Sequence, residues 1–378
     1  MEPPAKKLRP YVTKWERRQK AAAEKKLLIE NENERETLEE SDLKELFLTN
    51  ETVLEYQDKF HKNNLPRKVC KKASLSCDPP WCLRWCPKFS HLLAVTCEKT
   101  VKLCDVMKDN EIKVVHTLQH EANTRHCDWS RTSRQLATCS YDQKVQAFDF
   151  LSQGKVTCTL EIPETPSCLQ WWRDDENMIL VGGENSFLAS YDLRTGKEAS
   201  RYRFKCGKIL SFDFFINNTS FMSSCDQVNR QSAEHNLIVW DVRTAAKISN
   251  QIFHERYTCP HLRVHPSGTN ILAQTTGNYI ARFSTQKPFR LDKFVRYQNH
   301  TVNEYPVGFD ISRDGQFVVS GSSNGSVVCY KHNNGNYMRT ISLSVTNESD
   351  SCVDVQCHPV MPSMVAISNW AGNVYIIS

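Results

Sequence analysis

A short apolar strand that recurs limits this chain more than any other feature. VKLCD (101–105), VQAFD (145–149), LASYD (188–192) and LIVWD (237–241) are followed by IARFS (280–284), VVCYK (327–331) and VYIIS (374–378). The units end at 105, 149, 192, 241, 284, 331 and 377, a spacing of 43 to 49 residues. About 20 residues upstream of each lies a second strand, as in RHCDWS, LSFDFF, VGFDIS and VDVQCHP, and between the two sits a third, as in QLATCS, MILVGG and FVVSGS. Turn residues such as TGN, SNG and AGN divide them, because Gly and Asn tolerate the conformations that tight turns demand.

A three-strand unit repeated seven times at this period predicts a β-propeller, in which each unit buries its faces only against its neighbours. A fourth strand follows the first six units: IKVVHTL, KVTCTLEI, KEASRYRF, KISNQIF, FRLDKFV and YMRTISL. The seventh has none after it. An unpaired apolar edge invites association with other chains. PRKVCKKASLS (66–76), ahead of the first unit, alternates well enough to lie beside VYIIS and close the ring. The expected organisation is therefore a charged, partly helical or disordered extension (1–64) and an all-β, seven-bladed propeller (65–378), closed by 66–76 beside 374–378.

The pattern resembles the WD-repeat family, although only LIVWD ends in Trp-Asp and Gly-His occurs nowhere. Asp142 in SYDQKV stands at the family's turn aspartate; Asn185, Asn324 and Glu234 stand there in other units. KPFRLDKFVRYQNHTVNEYPVGFDISRDGQFVVSGSSNGSVVCYK (287–331) and CHPVMPSMVAISNWAGNVYI (357–376) resemble blades from the branch containing a second-step pre-mRNA splicing factor and a relative of it. The resemblance implies a nuclear, splicing-related scaffold without catalysis.

Residues 1–65 differ in kind. Nine basic residues among the first 26 give way to ten acids between Glu30 and Glu55, and such blocks resist forming a core. PAKKLRP, with Lys6, Lys7 and Arg9, resembles a basic nuclear-import signal. From about Ser41, the helical spacing of Leu43, Leu46, Phe47 and Leu54 predicts an amphipathic helix, either a brace on the propeller or a docking helix for a partner.

The start MEPPAKKLRP has no apolar signal-peptide core, and no run is long enough for a membrane helix, so a soluble chain made in the cytosol is expected, with no membrane contact. A net charge of +5 is too mild to announce nucleic acid. Of the 16 cysteines, Cys70, Cys77, Cys82 and Cys86 are the densest set, yet they lack a zinc-type C-x₂-C pair; most others sit in apolar runs as small hydrophobes. No phosphate-binding loop, zinc-protease helix or G-x-S-x-G nucleophile turn occurs, so no catalytic residue, cofactor, metal or small-molecule substrate is expected.

Two interaction readings remain. One is a nuclear scaffold of an RNA-processing complex, binding other proteins, with Arg290, Lys293 and Arg296, near Arg313, as candidate phosphate contacts. The other is a substrate receptor of a cullin-type ubiquitin ligase. EHNLIVWDVRT (234–244) resembles the box that propeller receptors present to their adaptor, with Trp240, Asp241 and Arg243 as the binding residues. Glu234 stands where Asp is usual, and Thr244 where a basic residue is. YDLRT (191–195) is a poorer copy, and the insertion DQVNRQSA (226–233) makes the fourth unit longest.

Overall fold

In the computed structural model, residues 65–76, 78–107, 111–150, 154–226, 236–250, 252–303, 305–343 and 351–378 are described. Lys6, Lys7 and Arg9 of the import motif and Leu43, Leu46, Phe47 and Leu54 of the expected helix lie outside them. The described residues form seven antiparallel four-stranded sheets and contain no helix. No helix among them is therefore long and apolar enough to cross a membrane. The sheets are blades 1 to 7, each running from an inner strand on the axis to an outer strand on the rim.

The second strands show why these residues choose this fold. Leu92–Cys97 and Met178–Gly183 are buried at every position. Successive side chains of a strand point to opposite faces, so full burial requires a neighbour on each side. Leu92 and Ala94 pack against blade 2, while Leu93 and Val95 pack against blade 7. The same division gives seven apolar clusters, one at each junction of successive blades, including the junction of blade 7 with blade 1. Outer strands cover no second neighbour and turn polar, as in Lys197–Arg201. Cys82, Cys86, Cys139, Cys168 and Cys329 lie inside the clusters as small apolar side chains.

Blade 7 closes the ring. Blade 7 is ordered Val69–Ser74, Asn373–Ile377, Val365–Asn369, Cys352–Cys357 from rim to axis. Lys72 faces Tyr375, and Ala73 faces Val374. Beyond the ladder, Arg67 N and Lys68 N donate to Ser378 O at 2.9 and 3.1 Å, and Leu75 N donates to Gly372 O at 3.1 Å. At roughly 0.5–1.5 kcal/mol net for each backbone bond, this strand contributes several kcal/mol and removes the exposed edge of Asn373–Ile377.

Because the outer strand of each blade is followed by the inner strand of the next, all links between blades emerge on one face, which they share with the turns between second and third strands. The opposite face carries the turns between inner and second strands and those between third and outer strands.

Candidate interaction surfaces

The inner strands bring one equivalent position from each blade to the axis: Arg84, Asp128, Gln170, Asp213, Arg263, Asp310 and Gln356. Three of the aspartates reach across to the next blade, where Asp128 Oδ2 accepts from Trp171 N (2.9 Å), Asp213 Oδ2 from Val264 N (2.7 Å) and Asp310 Oδ2 from Cys357 N (2.8 Å). Asp354 does the same across the closure, accepting from Leu83 N at 2.9 Å. The cations answer them: Arg84 lies 3.5 Å from Asp354 and 3.9 Å from Asp128, Arg263 lies 3.6 Å from Asp310, and Arg173 lies 3.3 Å from Asp213. Burial pushes the carboxyls of Asp128, Asp310 and Asp354 up, and the neighbouring arginines hold them back. Three tryptophans add a second stitch, since the indole Nε1 of Trp85, Trp129 and Trp171 donates to the carbonyl of Gln356, Arg84 and Asp128 in the preceding blade.

These groups surround a channel cavity of about 170 Å³ lined by Arg84, His126, Asp128, Gln170, Asp213 and Arg263 among others. Every cation in it already has a carboxylate partner. The axis therefore holds the blades together, and among the described residues that line it no arginine is left unpaired for an anionic ligand.

The face that carries the links is chemically different. Trp81, in the link entering blade 1, meets Trp370 edge-on at 5.3 Å between ring centroids. Trp370 sits in the turn between the second and third strands of blade 7, and Tyr305, in the link entering blade 6, stacks on it at 4.0 Å. The Arg125 guanidinium, on the inner strand of blade 2, lies over the Trp81 ring at 4.1 Å. Tyr305 is 43% exposed. Four consecutive blades thus contribute to one aromatic and cationic patch, composed of the residue types that anchor protein interfaces. Sequence reading missed it because its members lie far apart in the chain. The available signal was Trp in turn contexts, PPW and NWAGN.

The Trp-Asp-x-Arg corner divides between core and surface. Trp240 is 2% exposed and gives its Nε1–H to Ser223 Oγ (2.8 Å), so it packs the blade 3–4 junction and presents nothing to a partner. Asp241 Oδ1 accepts from Thr244 N (2.8 Å), Thr244 Oγ1 (2.8 Å) and Arg243 N (3.0 Å). Those donors, Thr244 first, hold its carboxyl below the usual range. The Arg243 side chain is exposed and makes no hydrogen bond or ion pair among the described residues. In the related corner of blade 3, Arg194 folds back onto Asp192 at 3.0 Å. Thr244 serves Asp241 in place of its arginine and leaves Arg243 pointing outward.

The blade 5 cations divide as well. Arg290 and Lys293 are exposed, as is Arg313 in blade 6. Arg296 instead pairs with Glu255 at 2.6 Å and covers the Tyr279 ring at 4.6 Å, which spends its charge inside the protein.

Two segments, 112–149 and 294–331, match the family model described as WD domain, G-beta repeat. The seven-bladed ring carries WD repeats. Each matched segment begins on the outer strand of one blade and runs through the third strand of the next, the same offset that leaves blade 7 needing an upstream strand. The chain is 34% identical to WD repeat-containing protein 25 of Mus musculus over 322 residues, covering 84% of this chain and 59% of that protein. It is 25% identical to Pre-mRNA-processing factor 17 of Mus musculus and of Homo sapiens over 296 residues, covering 77% of this chain and 48% of theirs. The matched stretch thus spans roughly half the length of these relatives.

Proposed function

We propose that this WD-repeat propeller is a non-enzymatic scaffold of a nuclear RNA-processing complex, related to pre-mRNA splicing, and that it binds protein partners on the face bearing Trp81, Trp370, Tyr305 and Arg125. The observation that carries the reading is that patch: clustered, partly exposed aromatics on a rigid ring whose axial arginines are already paired. The name of the relative Pre-mRNA-processing factor 17 and the import-like Lys6, Lys7 and Arg9 support the nuclear setting. Of the blade 5 candidates, Arg290 and Lys293 are left exposed for an RNA backbone. Affinity purification of the full chain from nuclear extract tests the reading, with spliceosomal proteins recovered by the wild type and lost with Tyr305→Ala plus Arg125→Ala. Recovery that the double variant leaves unchanged overturns it. If RNA is bound directly, affinity falls steeply between 50 and 200 mM salt, and Arg290→Ala reduces that slope by about one.

A second reading has one observation in its favour, the outward-pointing Arg243 on a corner fixed by Asp241. A substrate receptor of a cullin-type ligase would recover its adaptor with the wild type and lose it with Arg243→Ala. Trp240 plays no direct part in either case.

A further inference from the structure

On the face that carries the links, the segment 202–208 between blades 3 and 4 runs beside the end of the second strand of blade 4, Ser220–Cys225. Gly207 N donates to Asp226 O at 3.2 Å, and Asp226 N donates to Lys208 O at 2.8 Å. A Cβ at position 207 would stand 2.6 Å from Asp226 O, so glycine is what permits this approach. Cys206 and Cys225 each immediately precede a partner in this bridge, and both pack in the blade 3–4 cluster. Ser186 Oγ clamps the same spot, accepting from Cys206 N at 3.0 Å and donating to Cys206 O. Cys225 is sealed from solvent, whereas Cys206 is partly open to it.

We propose that Cys206 and Cys225 form a hydroperoxide-oxidised modification site, with Cys206 the attacking thiol and Cys225 the resolving one. In the first step the Cys206 thiolate attacks one oxygen of hydrogen peroxide. An S–O bond forms, the O–O bond breaks, and the departing hydroxide takes a proton to become water. In the second step Cys225 Sγ attacks the Cys206 sulfenic acid; the S–S bond forms, the S–O bond breaks, and the hydroxyl leaves as water with the Cys225 proton. Two thiols and one peroxide give one disulfide and two waters, with two electrons passing to the oxidant.

The electrostatics agree with this division of labour. Hydrogen bonding from the Cys225 thiol, and next from Ser186, holds the Cys206 thiol below the ordinary range despite partial burial. The same contact, with burial, pushes Cys225 far up, so it stays protonated until attacked. Cys82 and Cys127 also meet, Cys82 Sγ lying 3.5 Å from Cys127 O, but both are closed inside the blade 1–2 cluster, out of reach of an oxidant. Exposed Cys70, on the closing strand, is the reference for mere accessibility. A bond between Cys206 and Cys225 ties the link between blades 3 and 4 to the end of the second strand of blade 4.

The test is mass spectrometry of the full reduced chain after brief exposure to stoichiometric hydrogen peroxide at pH 7, digested without reductant. The expected result is a linked Cys206–Cys225 peptide, abolished in Cys206→Ser, and a dimedone adduct on Cys206 in Cys225→Ser. Iodoacetamide should label Cys206 in the untreated wild type about tenfold faster than Cys70, as thiolate character dictates. Absence of the linked peptide while Cys70 oxidises overturns the proposal, as does equal labelling of Cys70 and Cys206. If Cys225→Ser does not fold, the wild-type linked peptide and labelling rates decide.

Discussion

At the scale of single residues, the axial positions show how similar side chains come to differ in consequence. Asp310 holds both Cys357 N and Arg263. Removing it strands a largely buried guanidinium, and leaving one partner of such a pair uncompensated costs about 3–5 kcal/mol. Asp310→Ala should therefore lower unfolding free energy in urea by at least about 3 kcal/mol. Phe294→Ala, at a side chain 98% exposed, should stay within about 0.5 kcal/mol of wild type.

Histidines supply a pH test. His300 is buried between Gln274 (2.7 Å) and the Tyr330 hydroxyl (2.7 Å), and burial lowers it to about 4. Its folded value lies below its unfolded value near 6.5, so the unfolded chain binds more protons and stability is lost as pH falls from about 6.5 toward 4. The loss is about 1.4 kcal/mol per pH unit for one such group. His332, lowered to about 4 by burial, His265 and Arg282, follows the same rule. Between pH 6.5 and 5, His300→Gln should show a shallower fall in stability than wild type by about that slope, read from denaturation midpoints. An identical slope would mean that His300 does not stay neutral in the fold.

At the scale of elements, the strands were the legible part, and the physical reason is two-sided burial. Runs such as Leu92–Cys97 stay apolar throughout because both faces are covered, so they stand out from any polar surround. Outer strands were harder to bound: KISNQIF reads as a full strand, yet only Lys247–Ser249 pairs, while Ile252 and Phe253 turn in to fill the blade 4–5 cluster. The surfaces were mostly illegible. Leu83 and Asp354 are 271 positions apart in the chain, and Tyr305 and Trp81 meet Trp370 only after the ring has formed. The corner at Asp241 could be read as a motif, but the sequence did not reveal that Thr244 would take the carboxylate and free Arg243.

One turn carries the closure. Gly372, with φ +79°, sits where an added Cβ would lie 2.0 Å from Ser76 O. Gly372→Ala should thus combine unfavourable left-handed backbone, about 1–2 kcal/mol, with a clash against backbone that has no rotamer to yield. The expected result is a destabilisation above 2 kcal/mol, and limited proteolysis should cut first near residues 65–76. Wild-type resistance at those sites would contradict the account.

At the scale of the molecule, seven junctions share one architecture, and none is spare. Losing any one leaves two apolar blade faces open to water. Deleting 66–76 should therefore abolish a single cooperative unfolding transition and produce concentration-dependent aggregation, measured by calorimetry and light scattering. Loss of the outer-strand signal alone, with the transition intact, would argue that the blades stand independently.

The pairing of Val69–Ser74 with Asn373–Ile377 also governs the order of events during synthesis. The earliest strand of the ring leaves the ribosome long before its neighbour exists, and it must wait, unmatched, while six blades assemble behind it. A chain cut short before Asn373–Ile377 would be an open arc of blades lacking its seal, a natural client for chaperones and degradation.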